Sequence, residues 1–436
     1  MRMNPVIVLA AALLAAVYSW TFYNIPVLLV GIRSHLRARN GGVRSSVKTI
    51  IPVGRLPTFS VLIPAKNEQL LLPRLLESLL HQNYPKEKVE IIVIGDGSTD
   101  ATVDVCREYA KKSRGRVKLL CGEGSKGKPC ALNRALNVLK GDIVAVFDAD
   151  NVPEPDALLN AARCFLDESV TAVQGRTLAI NSEINMLTKF VSLEESAWFE
   201  AYIRGKDALE LFVHLKGTCQ FIRKEALLGL GGWSEGHLAE DMEISARLTD
   251  RGYKIRYSSD VRAWQETPES LTQMFRQRVR WYRGSMEVAL RYGSLIGKPN
   301  VKRLDAEITL LGPFVLIISL LGYLAGPFLF PSMGESAIFV ITVAGWTAMT
   351  VSLIVGALAL LYVARPKRKR DFLWLPFIYA YWAFQVVLAS WALIEIILRA
   401  PRKWRRTGRT GAVNNGGQIS VNLKPGNSAD DAELIV

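Results

Sequence analysis

Between Gly31 and Ala306 the chain has no apolar run long enough to cross a bilayer, although such runs stand on either side of that interval. The middle of the 436-residue chain is therefore expected to be a soluble domain. Cysteine is scarce: Cys106, Cys121, Cys130, Cys164 and Cys219 are odd in number and all lie in that middle. No Cys-x-x-Cys pair and no Cys/His pairing at metal-ligand spacing occurs, which leaves reduced cytosolic thiols as the simplest reading. A Gly-x-x-x-x-Gly-Lys-Ser/Thr phosphate loop is absent as well. Nor does the soluble middle carry a basic stripe with interleaved aromatics, so nucleic acid is not the expected partner despite a net charge of +14.

That charge lies elsewhere. Residues 31–58 carry six Lys or Arg and no acid, RPKRKR (365–370) carries five, and 399–409 carry six. Each segment flanks an apolar run, the pattern that marks a cytoplasmic face. Pro5 to Val30 stays apolar past any small-residue cleavage point, so it reads as an anchor rather than a removed leader. Ile308–Phe330, Ala337–Ala364 and Phe372–Leu398 follow as later runs. An anchor that leaves the middle in the cytoplasm lets the next two spans return RPKRKR to that side. One further pass would export the basic segment 399–409, against the charge rule. Pro376, Gln385 and Glu395 interrupt the last run, so two short re-entrant pieces are the alternative. The expected organisation is an anchor (1–31), a basic linker (32–58), a soluble domain (59–291) ending in an interfacial helix (269–291), a membrane region (306–398) and a basic, then disordered, tail (399–436). The expected location is the cell membrane, multi-pass, with the soluble domain cytoplasmic.

The soluble middle alternates strand and helix. FSVLIPA (59–65), VEIIVIG (89–95), RVKLLC (116–121), DIVAVFDAD (142–150) and VTAVQG (170–175) read as strands. LLLPRLLESLLHQ (70–82), PCALNRALNVL (129–139) and the stretch from Pro155 to Phe165 read as helices, and Thr99 or Asp100 is placed to cap another. Such alternation predicts an α/β domain with a mostly parallel sheet covered on both faces. Ligands of such sheets sit outside the carboxyl ends of the strands.

The polar clusters stand at those ends. Asp148 and Asp150 follow an apolar strand, and two carboxylates one residue apart can converge on a divalent cation if the backbone turns; an ordinary acidic turn would look the same. Asp96 in GDGSTD is either a turn residue or a carboxylate that accepts from a nucleobase. Lys126 and Lys128 lie in a glycine loop that opens a helix, which suits a phosphate. Asp241 begins a helix, where the dipole alone would favour an ionised acid, and where a general base could also stand. In MFRQRVRWYRG (274–284), helical spacing puts Gln277, Arg280, Trp281 and Gly284 on one face, and Phe275, Val279, Tyr282 and Met286 on an apolar one. Arg276 and Arg278 fall on other sides, where contact with anionic lipid is the plain expectation. A lipid-binding helix needs no particular glutamine. A guanidinium, an amide and a flat indole on one face suit an anionic leaving group and a sugar ring.

These pieces, in this order, resemble the membrane-embedded family 2 glycosyltransferases, the group of cellulose, chitin and hyaluronan synthases. The likeness runs from about Ser60 to Gly284 and is carried by IPAKNE, VIGDGSTD, GKPCALN, DAD, GTCQFIRKEAL with GGW, AEDMEIS with GY, and QRVRW. Many members have Asp-Asp where this chain has Gly95-Asp96; Asp96 matches those with a single Asp-Gly. The resemblance implies a GT-A fold, Rossmann-like, and a nucleotide-diphosphate sugar, a UDP-sugar, as donor. It implies that Pro64, Ala65, Glu68, Asp96, Lys128 and Asp148 hold the nucleotide, and that Asp148 and Asp150 hold Mg2+ or Mn2+. By the same likeness Asp241 would deprotonate an acceptor hydroxyl in one inverting displacement. Gln277 and Arg280 would steady the departing diphosphate, and Trp281 would support the acceptor sugar. The expected product is a growing polysaccharide at the membrane; a glycolipid or lipid-linked sugar is the alternative. A scaffold that only binds nucleotides is disfavoured, because the acids, the base and the arginine are all present.

Overall fold

Continuous β-branched and leucine-rich runs form strands only where both faces are covered, and the centre of the domain is built that way. In a computed structural model of the chain, residues 5–40, 52–122, 127–293, 300–329, 335–364, 373 and 375–402 are described. Residues 41–51 of the linker, Lys126, the run 365–370 and the tail from 403 onward lie outside them. After helix α1 (Pro5–Asn40) come β1 (Phe59–Ala65), α2 (Leu72–Leu80), β2 (Val89–Gly95), α3 (Thr102–Lys112), β3 (Val117–Cys121), α4 (Lys128–Arg134) and β4 (Ile143–Val146). Next stand β5 (Val152–Pro153), α5 (Ala157–Cys164), β6 (Val170–Ala179), α6 (Met186–Ala197), a π-helical segment (Trp198–Ile203), α7 (Arg204–Ala208), β7 (Gln220–Arg223), α8 (Lys224–Gly229), α9 (Glu240–Asp250), β8 (Lys254–Gln265) and α10 (Leu271–Tyr292). The eight strands form one sheet in the order β3-β2-β1-β4-β7-β6-β8-β5. Alternate side chains of β1 feed opposite cores: Val61 and Ile63 pack with Ile91 and Val93, and Leu62 with Ile92, Val144 and Val146.

The sheet is more mixed than the alternation predicts. β1 to β4 are parallel neighbours, but β7 runs antiparallel between β4 and β6. β4 also stops at Val146, two residues before the first acid of DAD. A turn follows at once, with the Asn151 N–H donating to the Asp148 carbonyl at 3.0 Å. Thr218 pins it from the far side: its hydroxyl accepts the Asp148 N–H (2.9 Å) and donates to Asn151 Oδ1 (2.5 Å).

Helix α1 is part of the domain's packing. A Cβ on Gly31 would overlap the Ala201 carbonyl, and one on Gly205 would overlap the Val27 carbonyl, so the two backbones cross in direct contact. Near the crossing His35 Nδ1 lies 2.7 Å from Glu200, whose carboxylate also accepts from Tyr257 (2.5 Å) and from Arg204. Lower on α1 the Tyr23 hydroxyl donates to Asp305 at 2.6 Å, and Asp305 is ion-paired with Lys206. Lys206 and Asp305 are wholly buried, so each depends on the other for its charge to be tolerated.

Beyond the sheet domain stand α11 (Val301–Leu310), α12 (Gly312–Leu329), α13 (Glu335–Leu358) and α14 (Leu375–Ile397). Among the described residues three helical stretches are long and apolar enough to cross a membrane: Ala12–Asn40, Val343–Ala364 and Pro376–Ile397. A fourth candidate, Val301–Leu310 with Gly312–Gly322, is bent by 53°. The last run is one continuous helix rather than the two re-entrant pieces that its polar residues suggest. Those residues face α10 instead. Gln385 accepts from the Tyr282 hydroxyl (3.2 Å), and Glu395 lies 3.3 Å from Arg283.

Candidate active site

The carboxyl ends of β1, β2 and β4 open on a cleft that gathers the residues expected at the site, Lys126 excepted, which lies outside the described residues. Its walls include Pro64, Ala65, Glu68, Asp96, Lys128, Asp148, Asp150, Asp241, Gln277, Arg280 and Trp281. Pro64 and Ala65 close β1, and Asp96 follows the last residue of β2. The Asp96 carboxylate accepts the Gly127 N–H at 3.2 Å and lies 3.7 Å from Arg134, so it braces the start of α4. Glu68 opens the turn into α2, with its N–H donated to the Thr102 hydroxyl at 2.7 Å.

Lys128 is the first residue of α4, and its ammonium ties three elements together. It donates to Asp148 Oδ1 (2.7 Å) and to the Gly217 carbonyl (2.8 Å), and stands 3.5 Å from Glu240. Burial works against its charge, but Asp148 and Glu240 overcome that and hold its pKa above the usual lysine range. A lysine read from sequence as a loop residue is thus a half-buried tie between the DAD turn and α9.

Asp241 departs from the helix-dipole expectation. Burial first, then the adjacent Glu240, push its pKa up to about 7, against the opposing pull of Lys128, the Met242 N–H and Arg280. The desolvation of a carboxylate outweighs the partial charge at a helix start. Gly217 keeps the space beside it: with φ +77°, a Cβ there would lie 3.1 Å from Asp241 Oδ2 and 3.2 Å from Lys128 Nζ.

Helix α10 brings the remaining groups. Its start is capped by Ser270, whose hydroxyl accepts the Gln273 N–H at 3.3 Å. Met274, Val279 and Met286 bury one face against Phe190, Ile378 and Leu388, which turns Gln277, Arg280 and Trp281 to the cleft. Gly284 permits the close approach: a Cβ there would come 2.6 Å from that of Ala239, just before α9. Arg276 is exposed, whereas Arg278 is half-buried. It pairs with Glu194 and lies 4.8 Å from the Trp281 ring centroid.

Asp148 and Asp150 stand on the pinned turn, and among the described residues no group of three or more His, Cys, Asp or Glu could hold a metal by itself. Two carboxylates on one turn fit a hard cation that takes its other oxygens from a diphosphate and water. The sequence reading missed Glu195, Lys216, Gly217, Thr218, Glu240 and Gln265, which also line the cleft. For Gly217, Thr218 and Glu240 a signal existed, since they sit inside GTC and AED. Glu195 and Gln265 carry none.

The profile of a family described as "Glycosyltransferase like family 2" matches residues 57–284. The chain is 32% identical over 298 residues to "Probable glycosyltransferase YdaM" of Bacillus subtilis, an overlap of 66% of this chain and 71% of that protein. It is 34% identical over 248 residues to a beta-monoglucosyldiacylglycerol synthase of Nostoc sp., covering 56% of this chain and 52% of that one. A poly-beta-1,6-N-acetyl-D-glucosamine synthase of Staphylococcus aureus is 30% identical over 245 residues, 56% of this chain and 58% of the synthase. In fold the chain is similar to a mannosyltransferase of Pyrobaculum calidifontis solved with GDP-Man and Mn2+, at a TM-score of 0.55 and 19% identity, covering 89% of this chain and 99% of that chain.

Proposed function

The chain belongs to the glycosyltransferases like family 2, and on that premise we propose that it moves a sugar from a UDP-sugar to an acceptor hydroxyl at the membrane surface, with inversion. The observation that carries this reading is the convergence of Asp241, Gln277, Arg280, Trp281 and the Asp148–Asp150 turn on one cleft. Pro64, Ala65, Glu68 and Asp96 take the nucleotide end, with Lys128 behind the diphosphate. Asp148 and Asp150 hold Mg2+ or Mn2+, which when bound supplies positive charge to the diphosphate. Asp241 removes the acceptor's hydroxyl proton as its oxygen attacks the anomeric carbon from the side opposite the diphosphate. Arg280 offers two parallel N–H donors to the leaving group, and Gln277 a third polar contact. The Trp281 face supports the acceptor ring.

A sugar-ring platform beside the base favours extension of a polysaccharide. A lipid acceptor is favoured by a different observation, the 34% identity to a beta-monoglucosyldiacylglycerol synthase. The basic segments beside the spans support a cytoplasmic cleft. Membranes that carry the protein would be incubated with labelled nucleotide sugars and Mn2+, and the product sized. A ladder or high polymer supports the first acceptor and a single lipid-soluble adduct the second. Absence of transfer from every donor would overturn the reading.

A further inference from the structure

Two consecutive glutamates of α6 each hold a cation against the Trp281 ring. Glu195, buried, accepts from Lys216 Nζ at 2.8 Å, and that ammonium lies 5.7 Å from the Trp281 centroid. Glu194 pairs with Arg278, whose guanidinium lies 4.8 Å from the same centroid. The Tyr381 hydroxyl of α14 donates to that Glu194 carboxylate at 2.8 Å, and its ring packs 5.9 Å from Phe190 of α6. Lys216 and Glu195 line the cleft; Glu194, Arg278 and Tyr381 do not. Arg278 meets the cleft wall at the Trp281 indole.

We infer that Arg278, clamped by Glu194 and Tyr381, is a positioning residue that sets the Trp281 ring and so ties acceptor engagement to the last membrane helix. This rests on the reading of Trp281 as the acceptor's support. A cation over an indole face holds the ring through its quadrupole, and a guanidinium with both a carboxylate and a phenol near it has little freedom to leave. Among the described residues, Glu194, Arg278 and Tyr381 are no part of the cleft wall that holds Pro64, Glu68 and Asp96.

The test uses the full-length protein in membranes, with steady-state kinetics in both substrates and slow donor hydrolysis by water as a third readout. Arg278→Lys and Tyr381→Phe should raise the acceptor KM by about tenfold and about threefold, while donor KM and hydrolysis stay within about twofold. Arg278→Lys added to Trp281→Ala should cost nothing further, because residues acting through one ring are not additive. Fully additive losses, or an equal rise in donor KM, would overturn the inference. Failure of the unmodified protein to transfer any sugar would instead sink the functional reading, and this one with it. If Arg278→Lys fails to fold, Tyr381→Phe decides alone: an unchanged acceptor KM overturns the inference.

Discussion

The Lys128 ammonium donates to the Asp148 carboxylate at 2.7 Å, joining the residue that opens α4 to the turn that ends β4. The same ammonium lies beside Glu240 and lowers the pKa of Asp241, so one positive charge serves three acids. Lys128→Ala should therefore cost stability, by roughly 1–2 kcal/mol. That is below the range for a sealed pair, because Asp148 is partly open to water. It should also move the acid limb of the activity profile to higher pH, since Asp241 loses an opposing charge. Thermal melts and a pH–rate curve check both; an unmoved limb would separate Lys128 from the base.

Asp241 itself sets the second expectation. Its pKa is raised to about 7, and only the ionised carboxylate can accept a proton, so turnover should fall as pH drops through about 7 and level off above it. Glu240→Gln removes the like charge next door and should shift that limb to lower pH. Asp241→Asn should lower turnover by about 10²–10⁴-fold with donor affinity nearly intact. An equal loss of donor binding would place this carboxylate at the nucleotide instead.

Metal dependence is the third. Among the described residues no third His, Cys, Asp or Glu joins Asp148 and Asp150 as a metal-holding group, so the cation should bind tightly only with the diphosphate present. Calorimetry should find weak Mn2+ binding to the free protein and stronger binding with UDP, lost in Asp150→Asn. Chelator should stop transfer, and full activity in its excess would remove the metal from the site.

The arginines of α10 give the fourth. Arg280→Lys keeps the charge but loses the fork, and should lower turnover by on the order of 100-fold. Arg276→Lys, on the exposed side, should change little. Salt titration of the unmodified protein distinguishes the alternative: if high salt mimics the Arg280→Lys loss and both lysine variants behave alike, the helix is a lipid anchor.

What the sequence made readable was whatever repeats locally. Strand ends announce themselves by a break in an apolar run, which is why Asp96, Asp148 and Asp150 could be placed at one rim. The face of α10 followed from 3.6-residue spacing: Gln277, Arg280 and Trp281 line the cleft, while Gly284 packs against Ala239. The misses are long-range. Arg278 looked lipid-facing because its partners Glu194 and Tyr381 lie 84 and 103 residues away in sequence. β7 is four residues long, too short for alternation to show, yet it runs against both its neighbours, β4 and β6, and breaks the parallel order of the sheet. The Asp241 pKa could not be read from its helix alone, because burial and Lys128 reach it from other elements. Gln385 and Glu395 read as interruptions of a span because nothing nearby in sequence says that Tyr282 and Arg283 meet them.

The bare backbone crossing of Gly31 over Ala201, and of Gly205 over Val27, has a mechanical meaning. A catalytic domain on a slack linker is a kite on a string, free to dip and tilt over the bilayer. Here the string is a bracket bolted at the crossing, with the Lys206–Asp305 pair as a second bolt. The cleft then keeps one height and one tilt relative to α1. With α1 set in a bilayer, such a mount would fix how far from the surface the cleft stands.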